Sequence, residues 1–141
     1  MATIVVGTDG SRGSEAALSE GFDLARRLGA EVLVVAVAAH TSGLLSGSVY
    51  QGRVSEHMDR ARTALDAART MAEEAGVEAG FEVFEGDAAE ELATIAETRD
   101  ADLVVVGTRG HGGIAGSLLG SVSAGVVRRS KRPVVVVHEP G

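Results

Sequence analysis

Leu103-Val104-Val105-Val106-Gly107-Thr108-Arg109-Gly110, then residues 111 to 119, then Gly120-Ser121-Val122, is the stretch that decides the fold. An unbroken apolar run rich in β-branched residues reads as a strand covered on both faces, and a helical pattern opens at Ser121. Between them the chain places Gly107, Gly110, Gly112, Gly113, Gly116 and Gly120. Backbone without β-carbons lets several N–H groups approach one anion, and a helix start adds unpaired donors and a positive dipole end. The stretch reads as a phosphate cradle, and the chain as a candidate nucleotide-binding protein.

Working outward, four more β-branched runs appear at Thr3–Gly7, Val32–Val37, Phe81–Glu85 and Val134–His138. Three are continuous or nearly so, while Phe81–Glu85 is more polar and suits a sheet edge. Helical patterns separate them. Leu18, Phe22, Ala25 and Leu28 form one stripe, with Ser11 or Ser14 as N-cap and Gly29 past the end. Val54, Met58, Ala61, Leu65, Ala68 and Met71 form a longer one closed by Gly76, the methionines acting as core filler. Asp87 and Glu90 resemble a capping box ahead of Leu92, Ile95 and Ala96, and a fourth helix is expected over about Ser121–Arg129. Five alternations predict a single-domain, doubly wound, five-stranded parallel α/β sheet of order 3-2-1-4-5, Rossmann-like or flavodoxin-like in its layers. Ala38–Arg53, rich in glycine and serine, is expected to be one long irregular piece, with Leu44, Leu45, Val49 and Tyr50 packing on a ligand or a second subunit.

With 141 residues, 45% of them hydrophobic, the chain can bury a substantial core. A net charge of −7 argues against nucleic acid or an anionic membrane as the main partner. The local exception, Arg128-Arg129-Ser130-Lys131-Arg132, reads as a helix end stopped by Pro133 in preference to a docking patch. Cysteine is absent, which excludes disulfides and thiolate chemistry, and no run approaches the length of a membrane span. A soluble cytoplasmic protein is the expectation.

Ligands of open α/β sheets bind beyond the carboxyl ends of the strands, where the strand order reverses. Here that point lies between the first and fourth strands, so Thr8-Asp9-Gly10-Ser11 and Gly107-Thr108-Arg109-Gly110 become neighbours. Asp9 is then placed for a ribose or base and the glycine loop for phosphates, against the plainer reading of Asp9 as a loop carboxylate. Other signatures fail. The G-x-G-x-x-A match at Gly110–Ala115 has no room for a second mononucleotide half, the sole lysine, Lys131, cannot complete a P-loop, and no G-x-S-x-G elbow exists. His40, His57, His111 and His138 lack metal-ligand spacing, and of these only His111, inside the glycine loop, is a functional candidate. A phosphoacceptor receiver would need a second acidic residue beside Asp9 and a lysine after the last strand, and a flavodoxin would need aromatics against its flavin.

Gly107-x-x-Gly110, nine residues, then Gly120-Ser121 is similar to the G-x-x-G, nine residues, G-S/T pattern of the ATP-binding branch of the universal stress proteins. The first strand running into Asp9-Gly10-Ser11 and the closing Pro133-Val134-Val135-Val136-Val137 extend the resemblance over the whole chain. It implies ATP as ligand: Thr8 and Asp9 on the ribose, the Val37 backbone on adenine, Val106 and Gly107 lining the cleft, and Arg109, Gly110, Gly120, Ser121 and Val122 on the phosphates. It also implies Mg2+ bridging phosphate oxygens, a homodimer joined through the C-terminal strand, and a nucleotide-dependent stress-response regulator rather than an enzyme. One departure is Gly7, where many relatives carry proline, expected to loosen the loop without abolishing binding. A slow ATP-hydrolysing or phosphotransferring enzyme and a nucleotide-free interaction module are the alternatives. Multiple-turnover phosphate release separates the first, and the intact glycine motif argues against the second.

Overall fold

The computed structural model describes residues 2–40, 43–44, 46–108 and 120–139. Strands β1 (Thr3–Gly7), β2 (Glu31–Ala39), β3 (Ala79–Gly86), β4 (Leu103–Gly107) and β5 (Val134–Val137) alternate with helices α1 (Arg12–Leu28), α2 (Gly47–Ala75), α3 (Ala88–Thr98) and α4 (Ser121–Arg129). The strands make one sheet of order β3-β2-β1-β4-β5, parallel at every pairing, as the alternation of runs predicts.

Apolar residues occupy both faces of the inner strands. Ile4, Val6, Val32, Val34 and Val105 meet Leu18 and Phe22 of α1 and Leu65 and Ala68 of α2. Val5, Leu33, Val35, Val104 and Val106 lie on the opposite face with Leu92, Ile95 and Ala96 of α3 and Val126 of α4. Met58 and Met71 pack against the first cluster as filler. The polar strand β3 is indeed an edge, and Arg69 of α2 lays its guanidinium 4.4 Å from the centre of the Phe81 ring.

Caps fall where the side chains can make them. Ser11, not Ser14, caps α1, and Gly29 ends it with φ of 64°. Asp87 caps α3 by accepting from the Glu90 N–H at 2.9 Å. The basic run sits at the end of α4, where Lys131 reaches Glu97 at 3.4 Å and Arg132 reaches Asp100 at 2.9 Å.

Several boundaries differ from the expectations. β2 runs on to Ala39 and β3 spans Ala79–Gly86, because Ala38 and Ala39 complete the ladder against Glu85 and Gly86 despite their weak strand preference. β5 stops at Val137, one residue short of His138. The largest correction concerns Ala38–Arg53. Helix α2 already starts at Gly47, since Tyr50 continues the Val54, Met58, Ala61 stripe by a further turn, and only about residues 40–46 connect β2 to it. Leu44 is 97% exposed and Val49 49%, and neither they nor Tyr50 line the cleft at the carboxyl ends of β1 and β4, while Leu45 lies outside the described residues.

Gly21 lets α1 lie close on β1: a β-carbon there would stand 2.7 Å from Val6 Cγ2. Gly52, on the exposed start of α2, has nothing within 4 Å. Gly21→Ala should therefore destabilise the protein by about 1–3 kcal/mol through overpacking, against its better helix propensity. Gly52→Ala should stabilise by about 0.5–1 kcal/mol. Urea unfolding of both variants checks the pair, and a Gly21→Ala variant as stable as the parent would contradict this packing.

Candidate functional site

Chain connections from β1 pass first to β2 and later cross to β4 on the other side, so the strand order reverses between β1 and β4. Helices covering opposite faces start on either side of that point, and a cleft of about 660 Å3, counting its open mouth, lies there. Thr8, Asp9, Val37, Val106, Gly107, Gly120, Ser121 and Val122 all line it. Arg109, Gly110 and His111 lie outside the described residues.

One wall is apolar, made of Val35 and Val37 from β2, Val106 from β4, and Ala88 and Leu92 from α3. The rest of the lining is rich in hydroxyls. Thr8, Ser14, Thr108 and Ser123 are the buried polar side chains among the described residues, and every one lines the cleft. Their hydrogen bonds tie the strand ends to the helix starts. The Gly10 N–H donates to Thr8 Oγ1 at 3.3 Å, Thr8 donates to Ser14 Oγ at 3.1 Å, and Ser14 donates to the Ser11 carbonyl at 2.9 Å. Asp9 Oδ1 accepts from the Ser11 N–H at 2.9 Å, which fixes the exposed carboxylate at the rim. Gly10 completes this turn with φ of 82°, a conformation strained for other residues.

The β4 side is held as firmly. A β-carbon at Gly107 would overlap the carbonyl of Gly13 in the first turn of α1, so backbone packs on backbone. Thr108 donates its N–H to the Val137 carbonyl at 2.9 Å, and its own carbonyl accepts from the Gly120 N–H and from Ser123 Oγ. Gly7 fits tightly too: a β-carbon there would come 2.8 Å from Leu92 Cδ1. The missing side chain thus admits Leu92 to the cleft wall, a packing reason for the departure from proline.

Three helices begin at this site, and their caps differ. Ser11 caps α1 and Asp87 caps α3 with their own side chains, whereas α4 starts at Gly120 with no side-chain cap. First-turn amides have no partner inside a helix, so those of Ser121, Val122 and Ser123 form the anion-attracting end of the cleft. Among the described residues no cluster of three acidic or histidine groups stands ready for a metal ion, and Asp9 is the one carboxylate that lines the cleft. A divalent ion here would draw most of its ligands from a bound phosphate chain.

Sequence reasoning missed Val35, Ser14, Thr108 and Ser123 as site residues, although Thr108 lies inside the glycine motif and the two serines adjoin motifs that it did single out. Ala88 and Leu92 carried no local signal, because α3 reaches the cleft only through tertiary packing.

The universal stress protein family model matches residues 1–138. A universal stress protein of Methanocaldococcus jannaschii is 36% identical over 140 residues, covering 97% of this chain and 82% of its own. UspA from Lactobacillus plantarum superimposes with a TM-score of 0.86 at 22% identity, covering 96% of this chain and 97% of its own. A solved universal stress protein in complex with cAMP is 32% identical with a TM-score of 0.76, covering 99% of this chain and 98% of its own.

Proposed function

The chain belongs to the universal stress protein family, and from that premise we propose that its cleft binds ATP and that it acts as a nucleotide-dependent stress-response regulator in the cytoplasm. The observation that carries this reading is the contrast among the three helix starts at the cleft: α1 and α3 are capped by their own side chains, and α4 has no side-chain cap, which leaves its first turn to a ligand. The apolar wall of Val35, Val37 and Leu92 suits a flat base, with the Val37 backbone on the adenine edge. Asp9 and Thr8 take the ribose. Gly107, Gly120, Ser121 and Val122 take the phosphates, with Val106 beneath, and Arg109 and Gly110 join them on the family's pattern alone. Mg2+ would be held chiefly through oxygens of the bound phosphates. The cAMP complex of the relative at 32% identity supports an adenine ligand.

Binding rather than turnover fits the groups at hand. Among the described residues the cleft offers hydroxyls, backbone and the rim carboxylate of Asp9, and the chain's single lysine, Lys131, is paired with Glu97 away from it. Efficient phosphoryl transfer needs charge stabilisation and a positioned nucleophile.

A homodimer through β5 follows from its edge. Pro133 and Val137 turn their carbonyls to β4, accepting from the Val104 and Thr108 N–H groups, both at 2.9 Å. Backbone directions alternate, so Val134 and Val136 aim N–H and C=O away from the sheet. An antiparallel second copy satisfies these groups and buries the half-exposed valines.

Nucleotide-stripped protein with Mg-ATP at 100 times its dissociation constant should gain about 2.7 kcal/mol. Gly120→Val should shrink the melting shift by crowding the phosphates. No shift at millimolar Mg-ATP would rule out the nucleotide reading.

Steady-state phosphate release should stay well below about 1 s⁻¹. Faster turnover that disappears in Gly120→Val would favour the enzyme alternative instead.

Light scattering should report twice the 14.4 kDa chain mass. Val136→Pro, which deletes an outward donor, should shift the population toward monomer. A parent protein monomeric at high micromolar concentration would contradict the interface.

A further inference from the structure

We infer that Ser123 is a positioning residue, which holds the first turn of α4 at the distance from β4 that a phosphate chain requires. The inference rests on the nucleotide reading of the cleft and assigns a role to a side chain that reading does not use. Ser123 is the third residue of α4 and only 2% exposed. Its Oγ donates to the Thr108 carbonyl at 2.9 Å and lies 3.2 Å from the Gly120 carbonyl. Thr108 is anchored in turn, because its N–H donates to the Val137 carbonyl.

The result is a direct tie from β5 through the end of β4 to the helix start. Thr108 and Gly120 are the two ends of the cradle, and the Gly120 N–H also reaches the Thr108 carbonyl. That one carbonyl therefore collects two hydrogen bonds from the start of α4, and the Ser123 hydroxyl gives the side-chain one. Alanine would fill almost the same space but remove the side-chain hydrogen bond from the helix start to the Thr108 carbonyl. The freedom gained falls on the amides of Ser121, Val122 and Ser123. It does not fall on Val35, Val37 or Leu92, which belong to other elements and form the apolar wall.

A tie of this kind predicts selective damage: affinity for the phosphate-bearing ligand falls while affinity for the bare nucleoside survives. The test is calorimetric titration of the parent, Ser123→Ala and Ser123→Cys proteins with Mg-ATP and, separately, with adenosine. Ser123→Ala should bind Mg-ATP about fivefold to tenfold more weakly, the weight of one buried hydrogen bond, and adenosine within about twofold of the parent. Ser123→Cys, which keeps a weak donor of similar size, should lie between them. If the alanine variant does not fold, the cysteine variant carries the same comparison. Equal losses for both ligands would mean a merely structural serine, and no loss for either would mean an idle one; both results overturn the role. A parent protein that binds neither ligand would defeat the nucleotide reading itself, a failure separable from that of Ser123.

Discussion

Burial of the central strand on both sides is the constraint from which the rest follows. In β1, Ile4 and Val6 face one layer of helices and Val5 the other, and all three are fully buried. A strand in that position needs neighbours on both edges and helices on both faces. Here the requirement is met by building outward through β2 and β3, then returning to add β4 and β5 on the far side of β1. The reversal leaves a gap at the carboxyl ends of β1 and β4. The cleft is thus a by-product of core burial, fixed in place before any polar residue is considered.

What distinguishes this gap is how its polar groups are distributed. Buried hydroxyls are costly unless bonded, and those of Thr8, Ser14 and Ser123 are all engaged, each joining a strand end to a helix start. Rigidity on both sides of the cleft leaves the α4 amides as a preset, positively polarised end. The cleft lining divides into an apolar set, Val35, Val37, Val106, Ala88 and Leu92, and a hydroxyl-bearing set, Thr8, Ser14, Thr108, Ser121 and Ser123. A ligand with a flat apolar part and an anionic tail matches that division better than a purely apolar or purely ionic one.

Continuous apolar runs made the sheet legible in the sequence, because β-branched residues such as Val104, Val105 and Val106 leave no polar face for a solvated strand. The glycine spacing made the phosphate end legible for a similar reason, since close backbone approach leaves few residue choices. Other features lay beyond local patterns. The start of α2 was hidden by Gly47, Ser48 and Gly52, which lower helix propensity in a segment carried by continuation of the stripe through Tyr50. Leu92 was invisible as a site residue because its spacing marks it simply as core, which it also is. Ser123 looked like any helical serine, and only the distance to the Thr108 carbonyl sets it apart.

The most direct test of the account follows the backbone amides of the first turn of α4 by nuclear magnetic resonance during titration with Mg-ATP and with adenosine. Signals of Ser121, Val122 and Ser123 should move strongly with Mg-ATP and little with adenosine, while the amides around Val37 respond to both. Shifts confined to other parts of the molecule, or identical responses of the α4 amides to the two ligands, would contradict the placement of an anion at this helix start.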